Sequence, residues 1–175
     1  MKVGILALQG SFKEHGDVLE RIGASFLWIR SKEDLKGLTH LIIPGGESTT
    51  LRKLLKAYEM WQEIISQVQD GTLKVFGTCA GAILLEDFGM DIKVDRNAYG
   101  AQQDSFQDVL DSDIFKNVEG VFIRAPKIIK KGKKVAVLAR YKKEPVLVQE
   151  RNLLAASFHP ELTDDTSVHE YFLND

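Results

Sequence analysis

The only cysteine of the chain, Cys79, stands in the run Phe76-Gly77-Thr78-Cys79-Ala80-Gly81, with a glycine two positions away on either side. An apolar run over residues 73–76 precedes it, and a short helical pattern through Leu85 follows. Strand, sharp turn and helix in that order make a nucleophile elbow, here with sulfur in place of the serine oxygen. On so tight a turn the side chain stands clear of the backbone, and flanking glycines remove Cβ atoms that would crowd it. The helix that follows aims its N-terminal N–H groups and positive dipole end at the sulfur, which favours the reactive thiolate. The competing interpretation is a buried, inert cysteine at a helix start. The glycine spacing argues for the nucleophile.

A thiol nucleophile works with a base, most often histidine. His15 falls within a helical pattern, His40 at the start of a strand and His169 in the last helix. All three are expected at the surface or at caps. His159 differs, because it ends the apolar run 154–158 and is followed by Pro160 and Glu161. In an extended segment residues i and i+2 point to the same side. His159 and Glu161 are therefore expected to pair, the carboxylate fixing the imidazole tautomer. Acyl transfer also needs donors aimed at the developing oxyanion. Two sources are available: the backbone N–H of Ala80 and the turn Pro44-Gly45-Gly46-Glu47-Ser48, whose glycines allow close approach of the backbone. A plain strand-to-helix loop with Ser48 as N-cap is the alternative for that turn, and both can hold, since a capped helix start also presents N–H groups.

These residues need a scaffold that brings distant segments to one edge. Strand-like runs cover residues 3–8, 25–29, 39–43 and 73–76, alternating with helical patterns over 12–22, 48–58 and 61–68. That alternation predicts a three-layer α/β fold with a mostly parallel, flavodoxin-like central sheet and flanking helices. Cys79 and His159 would both lie at the carboxyl edge, where open α/β sheets place their ligands. The second half adds short strands at 90–94, 118–123, 134–139, 146–149 and 154–158, with Lys130-Lys131-Gly132-Lys133-Lys134 as a solvated turn between two of them. A helix over 164–173, capped by Asp164 or Asp165, closes the chain.

The 175 residues fit one domain, residues 1–175. With 44% hydrophobic and 27% charged side chains and a net charge of −2, the composition excludes a disordered chain and shows no nucleic-acid footprint. One cysteine excludes an intramolecular disulfide and a thiolate zinc cluster and fits a reducing, cytoplasmic setting. The apolar run at 3–8 is too short for a signal peptide, and no stretch approaches the length of a membrane span. No dinucleotide-type glycine loop or metal-spaced ligand set is visible, so neither cofactor nor metal is expected.

Four segments taken together resemble a known family: Pro44-Gly45-Gly46-Glu47-Ser48-Thr49-Thr50, Phe76-Gly77-Thr78-Cys79-Ala80-Gly81, Val121-Phe122-Ile123-Arg124-Ala125-Pro126 and Ser157-Phe158-His159-Pro160-Glu161-Leu162-Thr163. The family is the glutaminase subunits of pyridoxal 5′-phosphate synthase, which are triad-type (class I) glutamine amidotransferases. The likeness runs from Leu6-Ala7-Leu8-Gln9-Gly10 to the last helix. Asp95-Arg96-Asn97-Ala98-Tyr99-Gly100 and Asp104-Ser105-Phe106 narrow it to that subfamily. The resemblance implies hydrolysis of L-glutamine to L-glutamate and ammonia, with Cys79 as nucleophile, His159 as base and Glu161 as its orienter. It also implies a glutamine pocket lined by Gly46, Glu47, Ser48, Arg96, Ile123 and Arg124. Gly46 and Ala80 would supply the oxyanion donors, and either Arg96 or Arg124 would hold the substrate carboxylate. Ammonia would pass to a synthase subunit within a large hetero-oligomer. The chain departs from the pattern at Ala101, where relatives usually carry arginine, in the brevity of Glu86 to Gly89, and in a short last helix. These bear on the pocket rim and partner contacts. A triad glutaminase serving a different synthase, or a non-catalytic binding module of the same fold, are the alternatives. The subfamily segments weigh against the first, and the complete triad against the second.

Overall fold

Consecutive apolar side chains in the first strands go to opposite sides, and both sides are buried. The computed structural model describes residues 1–96 and 105–174. In order, β1 (Val3–Leu6), β2 (Phe26–Ile29), β3 (His40–Ile43), β4 (Lys74–Thr78) and β11 (Leu153–Ala156) form a parallel sheet, and β10 (Glu144–Glu150) and β9 (Ala136–Tyr141) extend it antiparallel. The strand order is β2-β1-β3-β4-β11-β10-β9. Ile5, Ile42, Phe76 and Leu154 enter one apolar cluster, while Leu6, Leu41, Ile43, Val75 and Leu153 enter the other. Burial on both faces is what a parallel sheet requires and what its continuous apolar runs encode.

The helices divide between those two clusters. Helices α2 (Ser48–Ala57), α3 (Met60–Gln69) and α4 (Ala80–Asp87) contribute Leu51, Leu55, Ile64, Val68, Leu84 and Leu85 to one. Helices α1 (Phe12–Arg21) and α5 (Ser167–Asn174) contribute Leu19, Val168 and Phe172 to the other. The result is the three-layer, mostly parallel arrangement expected from the alternation of elements. Two small antiparallel sheets pair β5 (Ile92–Asp95) with β8 (Lys127–Lys131) and β6 (Phe106–Val109) with β7 (Glu119–Phe122); β5 and β7 were expected, β6 and β8 were not, and the expected strands at 134–139 and 146–149 join the main sheet as β9 and β10.

Three local expectations are corrected. The lysine-rich segment is not all turn: β8 runs through Lys131, and the reversal comes after it, where the Val135 amide donates to the Gly132 carbonyl at 3.2 Å. Strand propensity at a polar position is overridden there by pairing with β5. The strand before His159 stops at Ala156: the Ser157 amide still donates to Val146 of β10, but the His159 amide leaves the sheet for Val121. The last helix begins at Ser167, whose amide donates to Asp165 Oδ1 at 2.9 Å, so Asp165 caps it from outside the first turn.

Candidate active site

Segments that follow β1, β3, β4 and β11 converge at the carboxyl edge of the sheet. Cys79 is the residue between β4 and α4, with φ 48° and ψ −106°. A non-glycine residue in that region is strained and recurs where a nucleophile is displayed. The flanking glycines are required, though for a reason other than room around the sulfur. A Cβ on Gly81 would lie 2.1 Å from the Ile43 carbonyl oxygen, and one on Gly77 would lie 2.6 Å from the Gly81 backbone. They let α4 seat directly on β3 and β4, which sets where its N-terminus and Cys79 stand.

His159 arrives from the end of β11. Its amide donates to the Val121 carbonyl at 2.8 Å, tying it to β7. Its Nδ1 lies 2.7 Å from Glu161 Oε1, and the ring and the Cys79 Cβ both come up against Gly45. The pairing of His159 with Glu161 holds, but its geometry is not the extended one. Residues Pro160–Leu162 form a 3-10 turn that curls Glu161 back under the imidazole. Proline fixes φ for such a turn, which the i, i+2 argument ignored. Burial opposes a charge on His159, but hydrogen bonds to Cys79 and Glu161 and the charge of Glu161 outweigh it and push its pKa up to about 10. Burial would raise Glu161; the imidazoles of His15 and His159 and the Ser11 hydroxyl overcome it and hold the carboxyl at about 2. The outcome is a carboxylate–imidazolium pair beside a sulfur at a helix N-terminus, an environment that in general activates a thiol.

The glycine turn closes the site from the β3 side. Gly45 is buried, and a Cβ on it would fall 2.3 Å from His159 Cε1 and 3.3 Å from Cys79 Cβ. The loop after β1 holds this turn in place: the Ser11 amide donates to the Gly45 carbonyl at 3.0 Å, and the Glu47 amide donates to Gln9 Oε1 at 3.0 Å. The Ser11 hydroxyl also donates to Glu161 Oε1 at 2.7 Å. Among the described residues no group of histidine, cysteine, aspartate and glutamate side chains is placed to hold a metal ion.

A thiol, an imidazole and a carboxylate in series, beside a glycine turn and a helix start, suit acyl transfer from an amide or ester. The model of the SNO glutamine amidotransferase family matches residues 5–175. The chain belongs to that family. It is 45% identical to the pyridoxal 5′-phosphate synthase subunit PdxT of Thermosipho africanus, across 99% of this chain and 98% of the relative. It is 47% identical to the PdxT subunit of Thermus thermophilus, across 98% and 95%. A crystal structure of a glutamine amidotransferase superposes with a TM-score of 0.92 at 46% identity, covering 98% of this chain and 96% of the other. PurLQS from Thermotoga maritima shares the fold, with a TM-score of 0.76 at 16% identity and coverage of 99% and 97%.

The pocket residues expected of a member of this family are spread around that centre. Gly46 is exposed beside Gly45, and Ala80 opens α4 next to the sulfur. The cap of α2 is Glu47 rather than Ser48. Its carboxylate accepts from the amides of Thr49 and Thr50 at 2.9 and 2.7 Å and from the Thr50 hydroxyl at 2.8 Å. Those donors lower its pKa to about 2. Its side chain is thus spent on the helix, and what it presents elsewhere is backbone. Ser48 is buried in the first turn. Arg96 follows β5, which is anchored by Glu86 of α4: the Glu86 carboxylate accepts from Lys93 Nζ at 2.9 Å and from the Val94 amide at 3.2 Å. The Arg96 guanidinium is exposed and lies 3.4 Å from Thr49 Oγ1, over the start of α2. Ile123 and Arg124 are exposed just past β7, the strand bridged to His159, and Arg124 has φ 45°. Asn97-Ala98-Tyr99-Gly100, Ala101 and Asp104 lie outside the described residues.

Sequence reasoning misplaced three histidines. His15 and His169 are fully buried and His40 is 7% exposed, none of them a surface or cap residue. A signal was present: His15 shares helical spacing with Val18, Leu19 and Ile22, and His169 shares it with Phe172. Gln9 and Ser11, which hold the glycine turn in place, were also missed. They could have been found by asking which residues leave each parallel strand at the same edge.

Proposed function

We propose that the chain is the glutaminase subunit of a pyridoxal 5′-phosphate synthase, residues 1–175 acting as one glutamine amidotransferase domain in the cytoplasm. The Cys79 sulfur attacks the side-chain amide carbon of L-glutamine. Gly46 and Ala80 N–H groups receive the oxyanion. His159, held as an imidazolium by Glu161, carries the proton the thiol has given up and delivers it to the leaving ammonia. Water then attacks the thioester, releasing L-glutamate and restoring the thiol. Gly46, Glu47, Ser48, Arg96, Ile123 and Arg124 bound the glutamine pocket, with Arg96 or Arg124 meeting the substrate carboxylate. The ammonia passes to a synthase subunit in a hetero-oligomer. No helix among the described residues is long and apolar enough to cross a membrane.

The observation that carries this reading is Glu161 hydrogen-bonded to His159, with His159 and Cys79 both packed against Gly45, in a chain of this family. The test is ammonia release from glutamine in the complex with the synthase subunit. Cys79→Ala is expected to abolish release, and a glutamine-analogue electrophile is expected to label Cys79 in the wild type. Equal release from both proteins refutes the reading.

A further inference from the structure

Behind the triad lies a second set of polar groups that the reaction above does not use. His15 on α1 and His169 on α5 are fully buried, and their Nδ1 and Nε2 atoms are 2.8 Å apart. The Nε2 atom of His15 lies 3.1 Å from Thr78 Oγ1, the residue before the nucleophile, and 3.5 Å from Glu161 Oε2. The Phe76 ring stands edge-on to both imidazoles. Buried imidazoles persist only if their N–H groups find acceptors.

The contacts decide which nitrogens carry protons. With the proton of His15 on Nε2, that N–H donates to the Thr78 hydroxyl with Glu161 Oε2 standing 3.5 Å away, and Nδ1 accepts from His169 Nε2–H. The atoms left over in this cluster are His169 Nδ1, an unprotonated lone pair, and Glu161 Oε2, neither with a hydrogen-bond partner among the described residues. The opposite choice puts an N–H on His169 Nδ1 with nothing to receive it, and turns a lone pair of His15 toward a carboxylate oxygen. An unmet buried donor and a lone-pair clash with an anion both cost free energy. The first arrangement therefore wins on two counts.

We propose that His15 is a positioning residue of the triad: its Nε2–H, locked in that tautomer by His169, holds the Thr78 hydroxyl next to Cys79 and keeps its positive end 3.5 Å from Glu161 Oε2, the carboxylate oxygen that has no hydrogen bond of its own. The proposal rests on the glutaminase reading above. Both buried imidazoles stay neutral, since burial lowers their pKa values, that of His169 to about 3. A neutral donor steadies an anion without adding a charge that would compete with His159. The titratable and charged groups facing the pair are His159 and Glu161 on the 159–162 turn, Glu14 and Arg21 on α1, and each other. From β4 come the Thr78 hydroxyl and the Phe76 ring.

The test is the pH profile of Cys79 alkylation by iodoacetamide in the full chain, which needs neither glutamine nor partner. Removing the positive end of a neighbouring N–H dipole from a buried carboxylate raises its pKa by on the order of one unit. In His15→Leu the acid limb is expected to move up by about that much, with the rate near neutrality unchanged. His15→Gln, whose amide nitrogen stands near the imidazole Nε2 position, is expected to restore the wild-type limb. His169→Leu is expected to fall between. An unmoved limb in His15→Leu, or identical profiles for the Leu and Gln variants, overturns the proposal. If His15→Leu does not fold, the nitrogen shifts of the wild-type imidazoles decide: protonation of His15 at Nε2 supports it, and protonation at Nδ1 sinks it. Loss of the glutaminase reading shows instead as glutamine turnover unaffected by Cys79→Ala.

Discussion

Gly45→Ala adds one methyl group at the point where the β3 turn meets the catalytic pair. Gly45 is not among the residues with a positive φ, so alanine adopts its backbone without strain. The new Cβ falls 2.3 Å from His159 Cε1, 3.0 Å from His159 Nδ1 and 3.3 Å from Cys79 Cβ. To restore ordinary contact the imidazole has to retreat by about 1 Å. It has little freedom to do so, being held by Glu161 at 2.7 Å and by its amide on Val121 at 2.8 Å. Displacement of a reacting group by about 1 Å costs on the order of 100-fold in rate. Overpacking costs about 1–3 kcal/mol of stability, and each kcal/mol lowers Tm by about 2–4 °C in a chain of this size. Ammonia release in the complex should therefore fall roughly 100-fold in kcat/KM, while thermal melting shows a folded protein shifted by several degrees. Turnover within twofold of wild type at unchanged Tm would refute the claim that the turn abuts the imidazole.

Gly81→Ala sets helix propensity against sterics: alanine favours the helix by about 1 kcal/mol, but its Cβ would sit 2.1 Å from a backbone oxygen of β3. The clash should win, lowering stability by about 1–3 kcal/mol, and a higher Tm than wild type would contradict it. Stability should also peak near pH 6.5. His159, raised from 6.5 to about 10, contributes fully below pH 6.5 and loses its contribution as pH rises through about 10. His15 and His169, lowered from 6.5, take up protons only in the unfolded chain, so acidification below 6.5 destabilises the fold. Glu161, lowered from 4.5 to about 2, adds to that loss below pH 4.5. Each group contributes a slope of at most about 1.4 kcal/mol per pH unit. Urea midpoints at pH 5, 6.5 and 8.5 check it, and midpoints that rise steadily from pH 6.5 to 8.5 would show the imidazolium contribution to be absent.

The elements and their facing follow from local pattern. Runs such as Leu41-Ile42-Ile43 and Val75-Phe76, apolar at every position, can be buried only between two layers, and the alternation with amphipathic helices leaves a parallel sheet as the way to arrange them. The elbow was equally legible, because strand, glycine-spaced cysteine and helix are contiguous in the chain. What could not be read locally were relations between segments far apart in sequence. Whether His15 faces water or His169 depends on where α1 and α5 cross the sheet, 154 residues apart along the chain. The same holds for Ser11 meeting Glu161 and for Gly45 lying against His159, which exist only once four strand ends share an edge. The 159–162 turn shows the limit even at short range: proline and the bridge to Val121 bend a segment that alternation alone would leave extended. Side-chain chemistry and periodicity are properties of a stretch of chain; the partner of a buried polar group is a property of packing, and packing chose the imidazoles behind the triad.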